Sequence, residues 1–241
     1  MEYQIFDFDE VTSTNDLAAD LIYSHGAVVV AAVQSAGRGQ RGNRWESVRG
    51  ENLMFSLVVC PTHVEVCHQF LLSMITALAV RDALSDFGIE ARVKWPNDIY
   101  VGERKICGIL IEHSFSSHML SRTIIGVGVN VMQRDFDPSA GNPVSLAALG
   151  VKATPREVLA RFCARFSQFY AQTFVPNDIE KQYMASLYRG QGYFPYQDTA
   201  TNERFEACVA AIDPHSGQLT LRTKGNEQRS YYFKEVEFLR D

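Results

Sequence analysis

Apolar residues along this chain follow two periodicities, and the points where one gives way to the other mark its elements. Residues 27–33 (AVVVAAV) and 52–59 (NLMFSLVV) are unbroken apolar runs of strand length, with turn material at 47–51 before the second. From 66 to 87 the spacing changes to three and four: Val66, Phe70, Met74, Leu78 and Leu84 recur with Leu71, Ile75 and Ala79 beside them, which predicts a long helix with a wide buried stripe, ended by Gly88. Three β-rich pieces follow, ARVKWPNDIYV, ICGILIE and TIIGVGVNV, separated by turns at 96–98 and 101–104. A second helix is predicted from Thr154-Pro155-Arg156-Glu157, where a capping threonine, a first-turn proline and a reciprocal glutamate precede Leu159, Phe162, Phe166, Phe169 and Tyr170; another follows after Pro176. Near the amino terminus Ser13-Thr14-Asn15-Asp16 has the same capping form, so a helix begins near Thr14 with a polar start that reads as exposed.

Beyond about Tyr188 the pattern becomes short Gly- and Tyr-rich strands, GYFPYQ, RFEACVAAI, DPHSGQLTL and SYYFKEVEF, with a hairpin turn at 213–217. This predicts a β-barrel of about fifty residues. The expected organisation is a unit over 1–187 and a barrel over 188–241.

Composition adds mostly exclusions. The chain has 241 residues, 46% hydrophobic and 21% charged, as a folded domain with a small appendage has. A net charge of −5 leaves no global positive field for nucleic acid or an anionic membrane, so any anion site must be local. The acidic start MEYQIFDFDE lacks the features of a signal peptide, and no apolar run is long enough to span a bilayer, so a cytoplasmic location is expected. Five scattered cysteines without a C-x-x-C pair argue against a disulfide framework or zinc site, and most are expected to be buried. The histidines are expected on the surface or in turns, with His113 and His118 in one polar turn, HSFSSH.

Local chemistry concentrates in two places. Gly37-Arg38-Gly39-Gln40-Arg41-Gly42 matches G-x-G-x-x-G after a strand, but no helix follows and no acidic residue stands about twenty positions on, so the dinucleotide-binding reading fails on context. The loop reads better as an anion wrap, with glycines that let the backbone close and guanidinium forks from Arg38, Arg41, Arg44 and Arg49. Trp45 is either a base-stacking ring or a hydrophobic lid. Lys94-Trp95-Pro96-Asn97-Asp98 ends a turn on a carboxylate, and Lys105 follows seven residues later; alone, the two would read as an ordinary ion pair.

The ordered set Ser13-Thr14-Asn15, QSAGRGQRGNRW (34–45), Asn52-Leu53, KWPND (94–98), KICGIL (105–110) and GVGVN (126–130) resembles the biotin protein ligase family. The resemblance covers essentially the whole chain and is strongest from Ser13 to Asn130. It implies an α+β fold related to class II aminoacyl-tRNA synthetases, with a mixed sheet and helices followed by a carboxy-terminal SH3-like barrel. It also implies an ATP- and Mg²⁺-dependent ligase that forms biotinyl-5′-adenylate and passes biotin to a lysine of a biotin carboxyl carrier protein. Carried over by position, Ser13, Thr14, Asn15 and Gln34 contact biotin, and Arg38, Gly39 and Gln40 fold over the acyl-adenylate. Lys105 stands where carboxylate meets α-phosphorus, and Gly37, Arg38, Arg41, Trp45 and Asn130 surround the nucleotide. For Asp98 three roles stay open: orienting the site, contacting Mg²⁺ or serving as a base.

Two departures follow from the resemblance. Arginine is commonest where this chain has Gln40, and a basic or small residue is usual near Asn43; losing a charge-assisted bond costs on the order of 1 kcal/mol, so a leakier adenylate is expected. No amino-terminal helix-turn-helix precedes Ser13, so no DNA binding is expected. A lipoate or octanoate ligase or transferase is the alternative within the superfamily, and a non-enzymatic nucleotide-binding module the alternative outside it. Monomer and homodimer both remain open.

Overall fold

The computed structural model describes residues 1–42, 44–137, 141–173 and 176–239, the side chains of Arg41 and Pro176 excepted. Seven strands form one sheet: β1 (Gln4–Val11), β2 (Ala27–Gln34), β3 (Leu53–Val59), β4 (Arg92–Lys94), β5 (Asp98–Val101), β6 (Arg104–Ser116) and β7 (Met119–Val129). Their spatial order is β1-β2-β3-β7-β6-β5-β4, with only β1 and β2 parallel. The helix α1 (Thr14–Ala18) crosses between that parallel pair, and α2 (Phe70–Ser85), α3 (Pro155–Tyr170) and α4 (Pro176–Ala185) complete the larger unit. A five-stranded antiparallel sheet follows, from β8 (Phe194–Asp198), β9 (Arg204–Ile212), β10 (Leu219–Thr223), β11 (Gln228–Tyr231) and β12 (Val236–Phe238).

Alternation in β3, β6 and β7 gives the large sheet two different faces. Phe55, Ile109 and Val127 are register partners on one side, where Phe55 meets Phe162 of α3 at 4.9 Å between ring centroids and α2 covers the remainder. The other side is carpeted at one end by a small cluster of Ala18, Tyr23, Ala27, Val29, Val58 and Ile124. Towards the centre it carries Ser56, Gly126 and Leu110, then Met54, Gly128, Gly108 and Asp98, each pair or row in register. So many small and polar residues cannot support a second helical layer; they leave a trough.

The helix over 155–170 carries the full reciprocal cap, with Thr154 accepting from the Glu157 amide and Glu157 reaching back to the Thr154 amide. Other expectations need correction. Residues 66–68 form a 3₁₀ turn, and α2 starts only at Phe70, ending before Gly88, which takes φ 76°. The HSFSSH segment is no simple turn, because β6 runs through Ser116 and only Ser117 and His118 turn. SYYFKEVEF supplies two strands, β11 and β12, since the chain turns at 233–235. Strand β1 was not anticipated: its acidic residues hide an alternation that sends Phe6 and Phe8 onto the small cluster. All five cysteines are free thiols, but only Cys107 and Cys163 are buried; the expectation that most would be buried fails.

After α4 the chain pairs briefly with β4, the Val93 amide donating to Ser186 and the Tyr188 amide to Val93. The second sheet then docks on the same end of the first. Trp95, buried, donates its indole N–H to the Gly217 carbonyl at 2.8 Å and meets Phe233 edge-on at 5.4 Å. The apolar cluster runs continuously through this contact, joining Tyr196, Leu219, Leu221 and Val236 to the helices.

Candidate active site

A cleft of 640 Å³ opens on the trough, and its floor is glycine. Gly108 and Gly128 face each other across β6 and β7, and Gly126 faces Leu110. A Cβ on Gly128 would lie 2.5 Å from the Trp45 ring, one on Gly108 2.9 Å from it, and one on Gly126 2.3 Å from the Asn15 carboxamide oxygen. The glycines therefore allow flat groups to lie directly on bare backbone, as the Trp45 indole does.

At one end of the cleft is a network of neutral hydrogen-bonding groups. Ser13 caps α1 by accepting from the Asp16 amide. Gln34 at the end of β2 accepts from the Thr14 amide at 2.7 Å and from the Thr14 hydroxyl at 3.2 Å. Ser56, fully buried in β3, donates to the Asn15 carboxamide oxygen at 2.6 Å, and its oxygen lies 2.8 Å from the Thr14 hydroxyl. Ser13, Thr14 and Asn15 are all under 5% exposed, so the expectation of an exposed helix start is wrong: they are polar because they line a site inside the protein. Asn15 Nδ2 donates to Glu112 at 2.7 Å, and Glu112 with Asp16 grips the Arg38 guanidinium at 3.1 and 2.6 Å. Burial opposes the charge on Arg38, but the two carboxylates outweigh it and hold the guanidinium pKa above its ordinary value.

The opposite end is charged. Lys105 Nζ and Asp98 Oδ1 are 2.7 Å apart, and the ammonium stands 5.6 Å from the Trp45 ring centre. Register explains how the lysine arrives there. Between β5 and β6 the pairing shifts after Ile99, so that Tyr100 faces Lys105 while Ile99 faces Cys107. The extra residue turns Ile106 into the core, where it is fully buried, and re-aims Lys105 over Gly108, on the side of the sheet that carries Asp98. Trp45 keeps a buried indole N–H without an acceptor. A ligand acceptor above the glycine floor would satisfy it.

Several sequence-nominated residues come together here: Ser13, Thr14, Asn15, Gln34, Arg38, Gly39, Gln40, Trp45, Asp98 and Lys105 all border the cleft, with Arg44. Others do not. Asn130 is buried and outside the cleft lining, donating to the Val144 carbonyl at 3.1 Å, with the Lys105 carbonyl at 3.5 Å, so it buttresses the lysine strand. Gly37 is a loop-closing position whose Cβ would strike the Trp45 carbonyl at 2.5 Å. Arg49 points away, paired with Asp9 and Glu10, and is no phosphate ligand in this arrangement. Asn52 holds the Val131 amide at 2.9 Å and is structural. Asn43 and the Arg41 side chain lie outside the described residues.

Sequence reasoning missed Ser56 and Glu112, which hold the lining residues Thr14, Asn15 and Arg38 from outside the cleft, and a wall from the second sheet comprising Lys234, Val236, Glu237 and Phe238. Ser56 had a signal, a lone hydroxyl inside an apolar strand. Glu112 and the barrel residues had none, because only the folded chain brings them close.

The family pattern described as biotin/lipoate A/B protein ligase matches residues 6–130. Biotin--[acetyl-CoA-carboxylase] ligase of Paracoccus denitrificans is 36% identical over 229 residues, 90% of this chain and 93% of that protein. Bifunctional ligase/repressor BirA of Escherichia coli is 32% identical over 160 residues, 64% of this chain; the match spans only about half of that relative, 49%. Among solved structures, biotin protein ligase from Aquifex aeolicus in complex with biotin and ATP superposes with a TM-score of 0.81 at 24% identity, covering 98% of this chain and 99% of that one, which shows the shared fold. The glycine-floored cleft lies on strands inside the matched segment, and the chain belongs to the biotin/lipoate A/B protein ligase family.

Proposed function

We propose that this chain is an ATP-dependent biotin protein ligase, which joins biotin to AMP with release of pyrophosphate and then transfers biotin to a lysine amine of a biotin carboxyl carrier protein of a carboxylase. The observation that carries the biotin reading is the neutral end of the cleft, where Ser13, Thr14, Asn15 and Gln34 line the wall with hydroxyls and carboxamides, held from behind by the buried Ser56 hydroxyl. A cyclic urea needs donors and acceptors together, and such groups supply both without burying an ion. The dithiolane of lipoate offers no matching polar edge, which disfavours the sister reading.

With the ring system at that end, the acid's chain runs along the cleft beside the Trp45 indole, which covers Gly108 and Gly128, towards Lys105. There the ammonium neutralises carboxylate and α-phosphate as they approach, and stabilises the charge that builds on the pentavalent phosphorus. Asp98 holds the ammonium in place at 2.7 Å. Mg²⁺ bound with the nucleotide would screen its phosphates, and Asp98 is the carboxylate on the cleft wall that could contact it. In the second half-reaction the carrier lysine attacks the acyl carbon of the mixed anhydride, the amide forms and AMP leaves; the amine's proton passes to the AMP phosphate, to solvent or to Asp98. Arg38 must exchange Glu112 and Asp16 for the adenylate phosphate as the loop closes, and closure excludes water from the anhydride. We further take 1–187 as the catalytic unit and 188–241 as the barrel, and place the reaction in the cytoplasm.

The test is product analysis with an isolated biotin carboxyl carrier domain. Biotin, Mg²⁺-ATP and the chain should add one biotinyl mass to the carrier with equimolar AMP, and lipoate should not substitute; lipoylation of a carrier, or no acylation at all, would overturn the reading.

A further inference from the structure

Away from the cleft, the structure gathers a thiol and two imidazoles that the ligase reaction does not use. Cys67 and His68 lie in the 3₁₀ turn Val66–His68 that leads into α2, and His215 lies in the 213–217 turn between β9 and β10. Cys67 Sγ is 3.6 Å from His68 Nδ1, the His68 and His215 rings are 4.5 Å apart between centroids, and one ligand atom from each residue falls within 4.8 Å of the others. We propose that Cys67, His68 and His215 form a binding site for a thiophilic divalent cation, Zn²⁺ by chemistry, that clips the carboxy-terminal barrel to the turn leading into α2.

The distances suit that ion. Tetrahedral zinc, with Zn–S of about 2.3 Å and Zn–N of about 2.0–2.1 Å, sets sulfur and nitrogen roughly 3.5 Å apart. The Cys67–His68 separation already has that value, and the third ligand closes by rotation of exposed side chains. One sulfur and two nitrogens select against Mg²⁺ and Ca²⁺, which take oxygen. The Cys67 thiol donates to the Glu65 carboxylate at 3.4 Å. On metal binding the S–H proton leaves to Glu65 or solvent, the thiolate takes the metal, and water or the Glu65 carboxylate fills the fourth position. Scattered cysteines without a C-x-x-C pair argue against zinc in the sequence, but the docking of the barrel turn brings the distant His215 to the adjacent Cys67 and His68.

The location gives the site a consequence. The same turn presents Gly217, whose carbonyl receives the Trp95 indole N–H and whose α-carbon packs on Phe70, where a Cβ would come within 2.5 Å of the ring. Trp95 leads directly into Pro96, Asn97 and Asp98 on the cleft wall. A cation bridging 67–68 and 215 therefore fixes the barrel turn beside the strand end that carries the cleft's carboxylate.

The experiment is a Co²⁺ titration of the metal-free full chain by absorption, followed by Zn²⁺ competition and thermal melting, with Cys67→Ser and His215→Ala as variants. Both positions are exposed, and the metal-free melting temperatures of wild type and variants report whether each is folded. The expected result is one Co²⁺ per chain with a thiolate-to-cobalt charge-transfer band, displaced by Zn²⁺, and a melting temperature raised by Zn²⁺. Cys67→Ser should abolish the band, and His215→Ala should weaken binding at least about tenfold and remove the Zn²⁺ effect on melting. Absence of the band in wild type, its persistence in Cys67→Ser, or unchanged affinity in folded His215→Ala would overturn the proposal.

Discussion

In the proposed reaction Lys105 is the residue on which the chemistry turns, because it is the cation that the shifted β5–β6 register aims over the glycine floor. Replacing it with alanine should lower the rate of adenylate formation about 10²- to 10³-fold, the usual cost of removing a preorganised charge from a developing oxyanion. Single-turnover pyrophosphate release checks this, and biotin affinity measured without ATP should fall much less. Gln40 makes a second prediction at this scale. It borders the cleft where the family resemblance implies arginine, so Gln40→Arg should slow release of free biotinyl-adenylate several-fold, about 1 kcal/mol, as measured by filter or fluorescence dissociation. An unchanged rate would mean that a neighbouring arginine already supplies the missing contact.

The elements show why a polar helix start and a run of glycines belong together. Gly128 does not have positive φ, so Gly128→Ala tests space alone: its Cβ would meet Trp45 at 2.5 Å and lift the indole from the sheet. Such overpacking costs about 1–3 kcal/mol, and ligand affinity should drop with it; a melt and a biotin titration report both. Much of this was legible beforehand. The strands over 27–33 and 52–59, the capping box at Thr154 and the barrel after Tyr188 are local patterns, and the structure forms elements at each. What was hidden depends on pairs distant in sequence. Asn15 meets Glu112 across 97 positions and Arg38 meets Glu112 across 74, so neither the buried start of α1 nor the restraint on Arg38 could be read locally. Strand β1 was obscured by charge: Asp7 turns outward to pair with Arg156 while Phe6 and Phe8 turn in.

Across the whole molecule, the two sheets share one apolar cluster and together wall the cleft, so a change at the barrel contact is expected to move both stability and ligand binding. Trp95→Phe keeps most of the packing but leaves the Gly217 carbonyl without its donor, which should cost about 1–3 kcal/mol in denaturant unfolding. Stability should also depend on pH. Burial lowers the His113 pKa to about 4 against an ordinary value of 6.5, so the unfolded chain binds the extra proton first as pH falls. Native stability therefore declines from about pH 6.5 towards pH 4, by on the order of 2–3 kcal/mol from this residue, and His113→Gln should flatten that limb of a melting-temperature profile. The central claim concerns the substrate, and one measurement reaches it: pyrophosphate release by the full chain with Mg²⁺-ATP and either biotin or lipoate. Release that requires biotin, is not supported by lipoate and is lost in Lys105→Ala is the predicted result; release with lipoate and not biotin, or biotin-dependent release undiminished in Lys105→Ala, would contradict the account.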